Sequence, residues 1–408
     1  MFGQRKTFYD SMKPIVYLNC LVGMGALRQP CQSTIKYFVL CLYMFFINAG
    51  NIVFVYYATS WIFNVMDVAH ITHRTSRIGA VMMLILNLTN AFHTVLAPIL
   101  VCLQRKAFLD YFKHLPILDI KFETIFGVDI QNEYRKRFIH LSLKIIIPII
   151  LLNGVIVIEL LLMTDNIVGF SILNLSILMN IFQPTTVIFT LSFNFYVLLG
   201  YLEKKFQDLN IALMKLAVQI DPAKEESESV DIMADKLRRL KEIRNIHMQL
   251  YELAKGANAG FGVQNILTVG SSFVIVTGLL YCIYLGVKTE LSLTERRVQL
   301  AIIPTITWVI IYALRVWILA HSCRRVTERA KETGHVIYEL LILNYDDRLQ
   351  NEIHEFSLQM IQNPVTFDAC GFFTIDHAFF HGVIGTVTTH LVILIQMSDS
   401  VLDTSCDN

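Results

Sequence analysis

The sequence predicts an all-α integral membrane protein: seven transmembrane helices, N-terminus inside and C-terminus outside, with cytoplasmic helical extensions forming an anchor domain. Three observations point there. Only 16% of the 408 residues are charged and 54% are hydrophobic, where a soluble domain carries about 25% charged residues. Seven apolar stretches have the roughly 20-residue length that crosses a bilayer as helix. Lysine and arginine gather on alternate connections between them, the bias that sets orientation.

In order, the spans read Ile35 to Tyr57, Arg77 to Leu103, Leu141 to Met163, Phe170 to Tyr201, Phe261 to Tyr284, Leu300 to Ala320 and Ala378 to Met397. The third, LSLKIIIPIILLNGVIVIELLLM, is the cleanest. Gly260, Gly262 and Gly270 suit the fifth, because glycine is common in transmembrane helices. The chain then divides into a cytoplasmic N-terminal segment (1–34), helices 1–4 (35–206) with an inner loop at 104–140, and a cytoplasmic linker with an amphipathic helix (207–260). Helices 5–6 (261–320), anchor helices (321–377), a last transmembrane helix 7 (378–397) and an extracellular tail (398–408) follow. The first 34 residues hold Arg5, Lys6, Lys13 and Arg28 and no long apolar run, so no cleavable signal peptide is expected.

Twenty-eight of the 34 Lys and Arg fall on one side of the spans and five on the other. The basic side is cytoplasmic. An ordinary seven-span G-protein-coupled receptor has the opposite orientation, and its motifs are missing. Asn363-Pro364, for example, is followed by Val365, Thr366 and Phe367 and lies outside the last span. Of the eight Cys only Cys282 and Cys406 face outward, so no disulfide framework is expected. The patterns Asn87-Leu88-Thr89 and Asn174-Leu175-Ser176 fall inside spans, where glycosylation is not expected.

The outer loops are short and the inner connections long, which places a layer of protein beneath the membrane. Asp221 to Val230 reads as a polar linker. After it, Leu237, Leu240, Ile243, Ile246, Leu250 and Leu253 recur at helical steps and run toward the fifth span. From Asp231 to Tyr284 such a helix would be about 80 Å long. The sixth span likewise continues into Arg324 to Leu343, and Asp347 to Ile361 is a third amphipathic stretch. Apolar faces on three such helices must be buried somewhere, and an oligomerisation base is the reading we favour over a solvated coil. The basic residues suit anchoring at membrane lipids; nothing indicates nucleic acid.

The C-terminal third resembles the insect gustatory receptor family. Cys323 lies in HSCRRVTERAKETGHVIYELL after the sixth span, Phe372-Phe373-Thr374-Ile375-Asp376 precedes the last span, and Thr389 to Met397 closes it. That closing run resembles the family's Thr-Tyr, five hydrophobics, Gln-Phe signature, with His390 in place of Tyr and Met397 in place of Phe. Leu391 stands where the sugar-receptor clade has Glu, which argues against a sweet receptor. The resemblance implies a homotetrameric, ligand-gated, nonselective cation channel, with co-assembly with other gustatory receptors left open. The last helix of each copy would line one pore, and a small-molecule tastant would bind in the outer half of the other six.

At about 100° per residue, Gln396, Val392, Thr389, Gly385 and Gly382 fall along one line of the last helix. Four copies would stack an amide ring, an apolar ring, a hydroxyl ring and two small-residue rings. An uncharged amide ring suits passage of several cations, and Val392 with Ile393 could gate by dewetting. The alternative is that Gln396 makes an interhelical hydrogen bond at the outer interface. His390 lies off this line and is expected to pack against a neighbouring helix. His377 and His381 have a spacing that can hold a metal, but no metal site is expected, since only Asp376 accompanies them.

Polar and aromatic residues in the outer halves of the spans are the ligand-pocket candidates: Asn87, Asn153, Glu159, Asn180, Gln183, Thr277, Tyr281, Thr305 and Trp308, with Asn174, Tyr284 and Thr307 beside them. Each could instead bond across helices. Glu159 could pair with a cationic ligand or with Arg297 or Lys288; Arg315 is expected to pair with a carboxylate or carbonyls near the anchor. No nucleophile elbow, phosphate loop or metal cluster appears, so neither an enzyme nor a cofactor is expected. The function expected is a gustatory receptor for a bitter or other non-sugar compound, in the plasma membrane of sensory neurons. An odorant receptor subunit or a secondary transporter is the alternative, though no internal repeat supports the latter.

Overall fold

In the computed structural model the chain is all-α. It describes residues 7–22, 74–127, 129–164, 172–219, 230–289, 296–343 and 347–406, with scattered positions between 39 and 60. Those scattered positions are helical, and the rest of the first expected span, Ile35 to Tyr57, lies outside the described residues. The helices are α1 (Phe8–Leu21), α2 (Arg74–Phe126), α3 (Ile130–Thr164), α4 (Ile172–Gln219), α5 (Val230–Thr289), α6 (Arg296–Leu343), α7 (Asp347–Gln362) and α8 (His377–Cys406).

Four of these helices are far longer than a bilayer is thick. At 60 residues, α5 is about 90 Å long, against a hydrocarbon core of about 30 Å. Among the described residues, Thr185–Val218, Met233–Lys288, Ile302–Leu341 and His377–Met397 are long and apolar enough to cross a membrane. The helix expected from Asp231 to Tyr284 is α5, and the sixth span continues without a break to Leu343.

Two expected boundaries change. The inner loop at 104–140 is a helical hairpin, since α2 runs to Phe126 and α3 begins at Ile130. The turn is short because its residues suit it. Gly127, at φ 66°, ends α2 in the left-handed conformation that favours glycine. Asp129 accepts from the Asn132 N–H at 3.1 Å, as a helix cap does. At the other end, the tail expected from residue 398 remains helical to Cys406, because SDSVLDTSC contains no helix breaker. The N-terminal segment also holds a helix that was not foreseen. Thr7 and Asp10 form a capping box, and Phe8, Met12, Ile15 and Leu18 are buried.

The main core joins α4, α5, α6 and α7. Leu202, Phe206, Leu209 and Leu213 of α4 meet Leu240, Ile243, Ile246 and Leu250 of α5. Val326, Ile337 and Leu340 of α6 and Leu349, Ile353 and Phe356 of α7 complete it. Each fully buried side chain of this kind contributes about 1.5–3 kcal/mol. The amphipathic faces expected to need a partner therefore close on one another within one chain. Exposed aliphatics concentrate elsewhere, as in Ile146, Ile147, Ile150 and Leu151 of α3 and Ile303, Ile306 and Ile310 of α6, where lipid would lie.

Candidate functional site

The helix expected to line a pore, α8, is launched from a docked hairpin. Asp368 and Thr374 form an isolated bridge, and the turn between them carries positive φ at Cys370 (51°) and Gly371 (78°). Asp368 Oδ1 accepts from the Gly371 N–H at 2.6 Å. Its other oxygen accepts from Asn258 Nδ2 at 2.9 Å, while Asn258 Oδ1 accepts from the Asp368 N–H at 2.9 Å. This two-way bond ties the hairpin to α5. The approach is close: a Cβ on Gly262 would lie 2.9 Å from Cys370 Sγ and 3.3 Å from its backbone nitrogen. Phe367 packs on Phe195 with ring centroids 6.2 Å apart. Asp376 then caps α8 by accepting from the Phe379 N–H at 2.8 Å. An Asp three residues before a Gly is a turn pattern legible in sequence; its partner on α5 is not.

Along α8 the two faces differ sharply. Val383 and Val387 lie on the packed face, as do Leu391 and Leu394, which join Met82, Tyr281 and Leu285. Gln396, Val392, Thr389, Gly385 and Gly382, with Ile393 beside them, are all exposed in the single chain. At about 100° per residue the two sets point roughly half a turn apart. Thr389 Oγ1 donates to the Gly385 carbonyl at 3.0 Å, which satisfies the hydroxyl without a neighbouring helix. His390 packs edge-on against Phe273 of α5, with centroids 5.2 Å apart.

The outer-half candidates divide three ways. Trp308 is buried with Ile275 and Tyr312, against Leu86, Leu152 and Val155. Tyr281 is buried one turn from Thr277, whose hydroxyl has no hydrogen-bond partner among the described residues. Leu86 and Met82 join these groups, for each would lie 3.2 Å from a Cβ on Gly278. Gly278 of α5 therefore lies between Leu86, which packs on the Trp308 group, and Met82, which packs with Tyr281. Asn87 is buried but donates to Thr59 Oγ1 at 2.8 Å, the interhelical bond that was its alternative role. Thr305 is half-buried. The side chains of Asn153, Glu159, Asn174, Asn180 and Gln183 lie outside the described residues, and with them the pairing expected of Glu159.

Among the described residues Arg315 meets no carboxylate. Its Nε lies 3.3 Å from Ser192 Oγ, and its carbonyl accepts from Tyr196 OH at 3.2 Å. Asp119 and Glu133 are held instead in an ion cluster that the sequence does not reveal. Lys205, fully buried on α4, lies 2.9 Å from Asp119 Oδ1 and 3.3 Å from Glu133 Oε2. Lys204 reaches Glu133 Oε1 at 3.1 Å, and Arg137 lies 3.5 Å from Asp119. Tyr201 donates to Asp119 at 3.0 Å. Burial alone would raise the Glu133 carboxyl; the cations Lys205, Arg137 and Lys204 overcome it and hold the group below the ordinary range. Near the base of α5, His247 sits between Phe206 and Phe356, and burial lowers its pKa from 6.5 to about 4.

Comparison with known proteins gives these arrangements a family context. Residues 12–400 match the family described as 7tm Chemosensory receptor. The chain is 23% identical over 173 residues to gustatory receptor 28b of Drosophila melanogaster, covering 41% of this chain and 36% of that protein. It is 26% identical over 162 residues to the fly's gustatory receptor for bitter taste 66a, covering 39% and 30%. Against the fly's gustatory and pheromone receptor 32a it is 27% identical over 154 residues, covering 38% and 32%. Each aligned stretch thus spans about a third of the curated relative. The fold is similar to that of the olfactory receptor OR5 of Machilis hrabei in complex with eugenol, with TM-score 0.63, 13% identity, and coverage of 96% of this chain and 98% of that one.

Proposed function

The chain belongs to the 7tm chemosensory receptor family of insects, and from that premise we propose that it is a gustatory receptor acting as a ligand-gated, nonselective cation channel. Fruit-fly gustatory receptors are among its relatives, and it is a membrane receptor, not an enzyme. The observation that carries the channel reading is the two-sided α8. One face packs on its own bundle, and the opposite face exposes Gln396, Val392, Thr389, Gly385 and Gly382 in register. A lone polar Gln above an aliphatic ring is costly against lipid but serviceable against water. Four copies around an axis would cover that face and leave an aqueous path lined by it.

Ligand would enter from the side opposite the anchor and contact Trp308, Tyr281 and Thr277, an aromatic wall with one uncommitted hydroxyl. The packed face of α8 touches this neighbourhood through Leu391 and Leu394. Ligand that spreads α5 from α2 would move the wall on which α8 rests, which is a direct mechanical link from pocket to pore. Leu391 in place of an acidic residue and the likeness to a bitter-taste receptor favour a bitter or other non-sugar compound. Expected localisation is the plasma membrane of sensory neurons.

The test is electrical. Cells expressing the chain are screened with alkaloids, amines and sugars for inward cation current. Gln396→Cys is then exposed to a charged thiol reagent from outside. Modification should change the evoked current; an unchanged current with full labelling would remove Gln396 from the conduction path.

A further inference from the structure

Two histidines that no pore or pocket role employs meet where α6 passes the start of α8. His321 Nδ1 lies 3.4 Å from His377 Nε2. In a tetrahedral zinc site with nitrogens at about 2.05 Å, two ligand atoms are about 3.3 Å apart, so the pair already has the spacing of one edge of such a site. His321 is stacked on Trp317, with centroids 5.0 Å apart and planes 7° apart, which fixes its ring orientation. His377 is fixed by position, as the first residue of α8 directly after the capping Asp376. Both are half-buried, so an ion can reach them and water can fill the remaining positions. Farther along α6, Arg324 and Glu328 pair with each other at 2.6 Å, so the cation Arg324 is neutralised on that side.

We propose that His321 and His377 form a binding site for a zinc-class transition metal ion that clasps α6 to the first turn of α8. The pairing crosses two helices separated by 56 positions in sequence, which is why the His377–His381 spacing alone did not reveal it. His381 is exposed one turn farther along α8. Binding would hold the base of α8 at its present distance from α6, whatever α8 does above.

The full chain, purified in detergent with the exposed Cys370 changed to serine, is titrated with Zn²⁺ by calorimetry. One ion per chain is expected, with affinity that falls as the buffer is acidified, because protons compete for imidazole. His321→Ala and His377→Ala should each weaken binding by more than about tenfold, the loss that even an outer-shell partner can cause. His335→Ala, an exposed histidine elsewhere on α6, should leave it unchanged. Zn²⁺ should also raise the melting temperature of the unsubstituted chain, a readout that needs no variant to fold. Absence of binding, or binding that survives both alanine variants, would overturn the site. So would binding that survives His321→Ala but is lost in His381→Ala, which would assign the metal to α8 alone. None of these readouts requires the chain to conduct.

Discussion

The anchor and α8 treat the same hydrophobic material in opposite ways. In the anchor, α4 to α7 bury nearly every apolar residue that their periodicity marks, down to Leu213, Leu250, Ile337 and Phe356. Over α8, only Val387 among the residues from His377 to Met397 is buried, while Val392, Ile393 and Met397 stand open. The inner faces of the anchor helices close within one chain, and a few positions such as Val218, Tyr338 and Ile361 stay exposed. On the last helix most of the surface stays exposed, including the face carrying Gln396. The difference teaches that the same apolar content is spent on internal packing in one region and left at the surface in the other.

The largest effect should come from breaking the anchor at its ion cluster. Lys205→Met leaves Asp119 and Glu133 facing each other in the interior, which costs about 3–5 kcal/mol when a buried pair loses one partner. Thermal unfolding of the purified protein reads this directly. A variant as stable as the parent would show that Arg137 and Lys204 suffice and that the cluster does not hold the anchor.

Next comes acid. His247 has a folded pKa of about 4 against 6.5 unfolded, so the unfolded chain takes up its proton first. Stability is then full above pH 6.5 and falls as pH drops toward 4, by about 3 kcal/mol over that window. Glu133 adds a later loss, because its lowered pKa contributes stability above the ordinary carboxylate range that fades as pH falls through its folded value. His247→Phe, placed between Phe206 and Phe356, should flatten the melting temperature between pH 6.5 and 4. An unchanged slope would assign the acid sensitivity elsewhere.

A smaller change is expected at the joint between the two regions. Asn258→Ala removes both bonds to Asp368 and should cost about 1–3 kcal/mol. Amide exchange should rise over Asp368–Thr374 while α4 stays protected. Equal loosening of both would mean that the hairpin is part of the anchor and not a hinge for α8.

The smallest effect on stability should come from Gln396→Ala, within about ±0.5 kcal/mol for an exposed position. Ion permeability is what should change. A large loss of folded protein would instead place Gln396 in an essential contact between copies.

Much of the architecture was legible residue by residue. The helical recurrence of Leu237, Leu240, Ile243, Ile246, Leu250 and Leu253 announced the buried face of α5, because a 3.6-residue period leaves no other way to hide them. The line from Gly382 to Gln396 was likewise visible as spacing. Other features depend on who arrives from far along the chain. Lys205 reads as one more cytoplasmic cation until α2 and α3 bring Asp119 and Glu133 to it. His377 reads as half of a helical pair until α6 brings His321. Asn87 looked free to meet a ligand, and Thr59 claims its amide.

Composition, period and charge bias are local quantities, and local physics sets them: apolar length for the bilayer, helical pitch for the faces, basic residues for the cytoplasm. They determined an all-α membrane chain whose helices run well beyond a bilayer's thickness, with a singular last helix. Which faces close on one another is a long-range matter, decided by packing. Only the tertiary structure showed that the apolar faces of α4 to α7 close on one another while the Gln-bearing face of α8 stays exposed, because burial depends on the neighbours a side chain finds and not on its own hydrophobicity.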